Sequence, residues 1–262
     1  MTKETSAILR VAQLTTRFYT PGQVITAVDS VSLEVKPGQI VALVGESGSG
    51  KSVTAMSLLG LVDPPGVVEQ GEIWLGGVNL RECTPRRLRA LRGSQMGVIF
   101  QDPMNALNPV LTIGAQMIET IRLHRRVSRA EAKELARAQL ARVGLRDLDT
   151  LMTQYAFQIS GGMCQRVMIA LALVSRPRLL IADEPTTALD VRVQAGILKE
   201  LDRIRVEEGL GILLITHDWG VVAELADEVY VMKSGEIVES GNVFDIFENP
   251  RHPYTQELIN SR

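Results

Sequence analysis

Only two cysteines occur in the 262 residues, Cys83 and Cys164, far apart and in no C-x-x-C pair. That excludes a disulfide framework and a zinc knuckle, and it fits a reducing cytosol. An excess of either charge is also missing: 28 Lys and Arg face 30 Asp and Glu, for a net charge of −2. A bulk nucleic-acid binder would be far more basic. No apolar run approaches a membrane span. The longest, residues 167–174, is too short and reads as a buried helix. Residues 1–10 lack the basic-then-apolar layout of a signal peptide. A role at a membrane therefore requires docking to other subunits. What remains, 45% hydrophobic and 22% charged, is the composition of a soluble globular protein with a sizeable core.

The strongest positive feature is Gly45-Glu46-Ser47-Gly48-Ser49-Gly50-Lys51-Ser52. It follows the apolar run Ile40-Val41-Ala42-Leu43-Val44 and precedes a helix-like segment at 53–61. Strand, glycine loop and helix stand in the order that a phosphate cradle needs, and G-x-x-x-x-G-K-[ST] is met in full. Without Cβ atoms at the glycines, the loop can curl its backbone N–H groups around an anion. The helix N-terminus adds the positive end of its dipole. Lys51 is expected to reach the β- and γ-phosphates, and the Ser52 hydroxyl to ligate Mg²⁺. Val53 stands where a dinucleotide-binding fingerprint would need its third glycine, which argues against a dehydrogenase. No Asn-Lys pair exists, so the guanine reader of a GTPase is missing.

A second acidic element, Leu179-Leu180-Ile181-Ala182-Asp183-Glu184, is an apolar strand ending in two carboxylates. Alone this is usually a solvated turn. After a phosphate loop in the same chain it reads as hydrolytic machinery. Asp183 is expected to hold Mg²⁺, directly or through water, and Glu184 to orient or deprotonate the attacking water.

Around these motifs the chain alternates. Short strands are expected at 8–14, 31–35 and 71–75, with turns at Lys36-Pro37-Gly38 and Gly76-Gly77. Residues 109–156 are rich in Ala, Arg, Glu and Leu at helical spacing, for example Ile118, Ile121, Leu135, Leu140 and Val143, and predict a helical insertion. Apolar runs at 179–182, 212–215 and 228–232 suit central parallel strands covered on both faces. The tail from Asn249, with its prolines and charges, is expected to lie on the surface.

Three further elements decide the type of nucleotide hydrolase. Ile159-Ser160-Gly161-Gly162-Met163-Cys164-Gln165-Arg166 stands just before Asp183-Glu184. Gln101 follows the strand-like Gly97-Val98-Ile99-Phe100, and His217 ends the strand at 212–216. With Ala188-Leu189-Asp190, this set resembles the ATP-binding subunits of ABC transporters over nearly the whole chain, in the family's order and approximate spacing. The resemblance implies an α/β fold: a P-loop NTPase of ABC type, a RecA-like core with an N-terminal antiparallel β subdomain and an inserted helical subdomain. Residues 1–262 would form one ABC ATPase domain, with 1–101 and 157–262 as catalytic core and β subdomain and about 102–156 as helical subdomain.

It also implies a mechanism. Two subunits would sandwich two ATP molecules head to tail, each between one chain's phosphate loop (Gly45, Glu46, Ser47, Gly48, Ser49, Gly50, Lys51, Ser52, Val53) and the other's signature segment (Ser160, Gly161, Gly162, Gln165). Mg²⁺ would be held by Ser52, Gln101 and Asp183. Glu184, His217, Gln101 and Asp190 would be catalytic: Gln101 sensing Mg²⁺ and water, His217 contacting the γ-phosphate, and Asp190 helping to place the water across the interface. The residue chemistry agrees at the signature segment. Ser160 offers a hydroxyl, Gly161 and Gly162 offer unobstructed N–H groups, and all three open a helix. An ordinary N-cap with flexible glycines would read the same way. By resemblance, an aromatic residue after the first strand stacks on adenine, Phe18 by choice and Tyr19 as alternative. Either could instead pack into the first sheet.

Phe100-Gln101-Asp102-Pro103-Met104-Asn105-Ala106-Leu107-Asn108-Pro109 resembles the peptide/nickel importer subfamily, as does Pro250-Arg251-His252-Pro253-Tyr254-Thr255-Gln256-Glu257-Leu258. The resemblance implies a second, different ATP-binding subunit, two transmembrane permeases and an external substrate-binding protein, with no nucleic acid. The chain would sit peripherally on the cytoplasmic face of the inner or plasma membrane. Because the sequence stops soon after His-Pro-Tyr-Thr, the expected cargo leans to nickel or a metal chelate over di- or oligopeptides. A non-transport ABC ATPase is the remaining rival. Its usual second half, coiled coil or zinc modules are not seen here. His252, beside prolines and without a second ligand nearby, does not make a metal site. Ile159 replaces the usual Leu, a mild apolar swap, and Cys164 fills a variable position.

Overall fold

The computed structural model describes residues 7–186 and 191–260. In chain order the elements are β1 (Leu9–Thr20), β2 (Gln23–Val35), β3 (Ile40–Val44), α1 (Lys51–Leu59), β4 (Gly66–Leu75), β5 (Val78–Asn79), α2 (Pro85–Leu91), β6 (Met96–Ile99) and α3 (Pro103–Ala106). They continue with α4 (Ile113–His124), α5 (Arg129–Arg142), α6 (Leu148–Thr153), α7 (Gly161–Leu173), β7 (Leu179–Asp183) and α8 (Val191–Glu208). The last are β8 (Gly211–Thr216), α9 (Trp219–Leu225), β9 (Glu228–Lys233), β10 (Glu236–Asn242), α10 (Val243–Glu248) and α11 (Pro253–Asn260). The chain forms two compact units, one of residues 1–89 and 205–262, the other of residues 90–204.

The first unit holds two sheets. One is antiparallel, in the order β2-β1-β4-β5. Its β1 and β2 form a long hairpin closed by Pro21-Gly22, with Thr20 facing Gln23. Gly22 sits at φ 85, a left-handed position that glycine takes without a Cβ clash. In the other sheet β3 lies between β8 and β9, parallel to both, and β10 pairs antiparallel with β9. Every residue of β3 and β8 is buried, which is why both read as unbroken apolar runs and not as alternating ones. Ala42 and Val44 of β3 pack with Trp219 and Val222 of α9, Val229 and Val231 of β9, Ile246 of α10 and Tyr254 of α11.

The second unit pairs β6 and β7 in parallel and contains α3 to α7. Caps set its helix starts. Thr112 accepts the Ala115 N–H at α4, and Ser160 accepts the Met163 N–H at α7. At α5 a full capping box forms between Ser128 and Glu131. Of the apolar residues read at helical spacing, Ile121, Leu140 and Val143 are buried while Ile118 and Leu135 are half-buried; Ile113, Met117, Ala132, Ala136 and Leu151 are buried as well.

Two expectations need correction. The tail from Asn249 does not simply lie on the surface. It folds into α11, which buries Tyr254 and Thr255. His252 caps that helix, its Nδ1 accepting the Tyr254 N–H at 3.2 Å, while Glu239 accepts the N–H groups of Arg251 and His252 at 2.7 and 3.0 Å. The first strands are also longer than 8–14 and 31–35. Their extensions meet in the hairpin, where half of the residues are exposed and hydrophobic alternation fades.

Candidate active site

The phosphate loop links β3 to α1. The helix α1 starts without any side-chain cap: Gly50, its first flanking residue, sits at φ 110 and contributes no side-chain bond. By contrast, α4, α5, α7 and α9 are each capped by a side-chain oxygen of their own chain. The back of the loop is fixed tightly. A Cβ on Gly50 would meet the Ala27 carbonyl oxygen at 2.3 Å, and one on Gly45 would meet the Met232 carbonyl oxygen at 2.2 Å. A Cβ on Gly48 would meet nothing within 4 Å. Glycine at 45 and 50 therefore lets β2 and β9 press close, while Gly48 faces open space. The Ser49 carbonyl accepts the Gly235 N–H at 2.8 Å, and the Gly235 carbonyl accepts the Asp29 N–H at 2.8 Å.

Lys51 is buried, and its ammonium donates to the carbonyls of Gly45 and Glu46 at 2.7 and 2.8 Å. The loop thus folds around its own cation. Its charge is poised at the cradle and satisfied by backbone oxygens that a phosphate can replace. Ser47 and Ser52 are exposed and Ser49 is buried. His217 follows β8 directly and is exposed. Its position is set from both sides. Thr216 Oγ1 accepts the Asp218 N–H at 3.0 Å, and Asp218 caps α9 through the N–H groups of Gly220 and Val221.

In the second unit, Asp183 is the last residue of β7 and is buried, and Glu184 follows it, also buried. Glu184 has φ 49, a left-handed backbone for a residue with a Cβ. Such strain, of order 1–3 kcal/mol, is held only where surrounding structure over-determines it, and it clusters at functional sites. Ser160, the α7 cap, uses its oxygen to accept the Met163 N–H at 3.3 Å, so its own proton remains to be donated. Gly161 is exposed and a Cβ there would meet nothing within 4 Å. The N-cap reading and the anion reading of this segment are therefore compatible. Gln101 follows β6 and is exposed, just before Asp102, which caps α3.

Other sequence expectations land less directly. Gln165 is buried, and its Nε2 donates to the Pro185 carbonyl at 2.5 Å, a role within its own chain that the sequence reading did not include. Phe18 is half-buried, with its ring edge against Gly66, whose absent Cβ would meet Phe18 Cε1 at 2.7 Å. Tyr19 points to the other face of the strand, is exposed, and donates its hydroxyl to Glu69. Asp190 lies outside the described residues. Burial pushes the Cys164 thiol above its ordinary range, opposite to what a reactive thiolate needs.

One contact of the phosphate loop escaped the sequence reading. The Tyr254 hydroxyl accepts the Glu46 N–H at 3.1 Å, at the entrance to the phosphate loop. Its His-Pro-Tyr-Thr setting marks a subfamily, and nothing in the sequence indicates where that tyrosine points.

Comparison with known proteins gives a consistent picture. The family model described as ABC transporter matches residues 28–187. A protein of Brucella melitensis named for peptide import and ATP binding is 50% identical over 97% of this chain and 77% of its own length. The glutathione import ATP-binding protein GsiA of Salmonella choleraesuis is 48% identical over 96% of this chain, which spans 41% of that protein. Among solved structures, the dimeric post-hydrolysis state of the ATP-binding cassette MJ0796, bound to ADP and Pi, matches with a TM-score of 0.81 at 27% identity, covering 90% of this chain and 98% of the other. The cbiO1 protein of Clostridium perfringens, from the complex cbiONQ, matches with a TM-score of 0.77 at 28% identity over 98% of this chain and 95% of its own.

Proposed function

This chain belongs to the ABC transporter family as an ATP-hydrolysing subunit, and from that premise we propose that it powers the import of peptides. The observation that carries the substrate class is the 50% identity, over nearly the full chain, to a relative named for peptide import. The similarity to a glutathione importer points the same way, since glutathione is itself a peptide. The reading therefore moves from nickel and metal chelates to peptides.

ATP binds by its phosphates in the loop 45–52. The α1 N-terminus and the Lys51 ammonium supply positive charge, and the open face at Gly48 supplies room for a phosphate. Phe18 serves as the adenine platform. Bound Mg²⁺ would neutralise phosphate charge, and the hydroxyl, amide and carboxylate oxygens of Ser52, Gln101 and Asp183 are the hard donors that it takes. Glu184 accepts the proton of the attacking water. His217, set by Asp218 and Thr216, donates to the γ-phosphate. Ser160, Gly161 and Gly162 complete the ATP site of a second subunit, as Asp190 helps to do across the same interface. Dimer closure follows because each nucleotide needs both chains. Gln165 belongs to the same segment facing the partner's ATP, while Tyr254 does not enter this chemistry directly.

Residues 1–101 and 157–262 form the catalytic core and β subdomain, and about 102–156 the helical subdomain that docks on the permeases. The partner set is a second ATPase chain, two permeases and an external binding protein, on the cytoplasmic face of the membrane. Among the described residues no helix is long and apolar enough to cross a membrane. The test is uptake in cells that lack this gene, complemented with wild type or Lys51→Ala and supplied in parallel with labelled dipeptide, glutathione and nickel. Restored peptide or glutathione uptake by wild type alone supports the reading. Restored nickel uptake only would overturn the substrate class, and no restoration would overturn the transport role.

A further inference from the structure

Within the first unit, α11 reaches the phosphate loop through one side chain. The Tyr254 hydroxyl oxygen lies 3.1 Å from the Glu46 nitrogen and accepts its N–H. Glu46 is the first residue after Gly45, at the point where the chain leaves β3 and begins to curl. The tyrosine is 4% exposed. Its ring packs in the cluster of Ala42, Val44, Trp219 and Val231, and Lys233 Nζ sits over it at 4.4 Å from the centroid. The hydroxyl therefore cannot swing away without breaking that packing.

The helix that carries the tyrosine is fixed in turn. Glu239 of β10 accepts two backbone N–H groups of the turn before α11, and His252 accepts the Tyr254 N–H. Gln256 donates back to the Pro250 carbonyl at 2.8 Å. A continuous set of hydrogen bonds thus runs from β10 through α11 to the start of the loop. Glu46 itself is exposed. Without Tyr254 its N–H would turn to water, and the loop entrance would be left with the Lys51 bonds to the Gly45 and Glu46 carbonyls.

We propose that Tyr254 is a positioning residue for nucleotide binding, holding the Glu46 end of the phosphate loop in the curl that receives ATP. This rests on the reading of residues 45–52 as the ATP site. The tyrosine touches no nucleotide. It acts by keeping the loop preorganised, which removes an ordering cost from binding. Its loss raises KM for ATP and leaves the chemical step to Glu184.

The experiment is Tyr254→Phe in the full chain, which keeps the ring in its cluster and under Lys233 while deleting the hydrogen-bond acceptor. ATP affinity is read by displacement of a fluorescent ATP analogue, thermal unfolding is followed alongside, and ATPase kinetics are taken in the assembled transporter. The net worth of one such bond predicts a Kd and KM for ATP raised by about three- to ten-fold. The loss falls on KM and not on kcat. Wild-type ATP affinity in Tyr254→Phe, with or without a lowered melting temperature, would overturn the proposal and leave Tyr254 as a packing residue. If the wild-type chain itself bound no ATP, the ATP-site reading would fall and the proposal with it. As a second variant, Glu239→Gln weakens the turn that seats α11 while leaving the hydroxyl in place. A smaller rise in Kd in the same direction is expected, and unchanged Kd would remove β10 from the chain of support.

Discussion

The side-chain amide of Gln165 donates to the carbonyl oxygen of Pro185 across 2.5 Å, inside the second unit and away from solvent. It ties the second turn of the signature helix to the residue that follows Glu184. The strained backbone of Glu184 thereby gains a brace one residue downstream.

Replacing Gln165 by Leu leaves the Pro185 carbonyl buried without this donor, a loss of about 1–3 kcal/mol. The isolated chain should melt several degrees lower, and ATP turnover should fall. A residue that served only to reach a partner's ATP would leave the isolated chain's melting curve unchanged, so calorimetry on the single subunit decides between the two roles.

Glu184→Gln should bind ATP at close to wild-type affinity and hydrolyse it about 10²–10⁴-fold more slowly, the usual contribution of a positioned base. It should also trap a closed dimer. Single-turnover hydrolysis and gel filtration with ATP measure both, and normal turnover would remove Glu184 from its role.

Lys51→Ala removes the ammonium that now donates to the Gly45 and Glu46 carbonyls. A charge-assisted hydrogen bond is worth about 1.5–3 kcal/mol, so ATP affinity should drop by about 10- to 100-fold. Equilibrium titration with a labelled nucleotide gives the number. Uncompensated carbonyls also predict a lower melting temperature, visible in the absence of nucleotide.

The two glycines Gly48 and Gly50 should part company on substitution. Gly50→Ala drives a Cβ into the Ala27 carbonyl oxygen at 2.3 Å and should destabilise the folded chain strongly, read as a melting-temperature loss in the absence of nucleotide. Gly48→Ala meets no atom, although φ 81 remains unfavourable for alanine, so about 1–2 kcal/mol is the expected cost. Its larger effect should appear on ATP affinity, because the methyl group enters the open side of the loop. Equal melting losses in both variants would contradict the assignment of one face to packing and the other to ligand.

Cys164 is fully buried, and burial raises its thiol pKa, so at neutral pH its thiolate fraction falls below that of an ordinary cysteine. Cys83 is partly exposed. Brief alkylation of the native protein should label Cys83 and spare Cys164, with both labelled after unfolding. Peptide mass spectrometry reads the ratio, and rapid native labelling of Cys164 would contradict its burial.

The legibility of this chain followed local rules where they were strong. The β3 run, the glycine loop and the α7 cap were readable because each depends on neighbours a few residues away. The helices α4, α5 and α6 were readable from apolar residues at helical spacing. The hairpin extension at 15–28 was not, because its exposed arms carry little burial pattern. The helix α11 was masked by its prolines, of which Pro253 here opens the helix and does not mark a loop. Gln165 and Tyr254 were opaque for another reason. Their partners, Pro185 and Glu46, are backbone groups 20 and 208 residues away, and no spacing rule encodes such a meeting.

The left-handed backbone at Glu184 has a consequence for anyone who evolves this protein for heat tolerance. Glycine or asparagine relieves such a conformation and tends to raise stability. A screen that rewards survival on heating alone would therefore enrich replacements at residue 184, and its winners would lack the carboxylate proposed to accept the proton of the attacking water. Selection would have to demand turnover and robustness together, since at this residue the two pull in opposite directions.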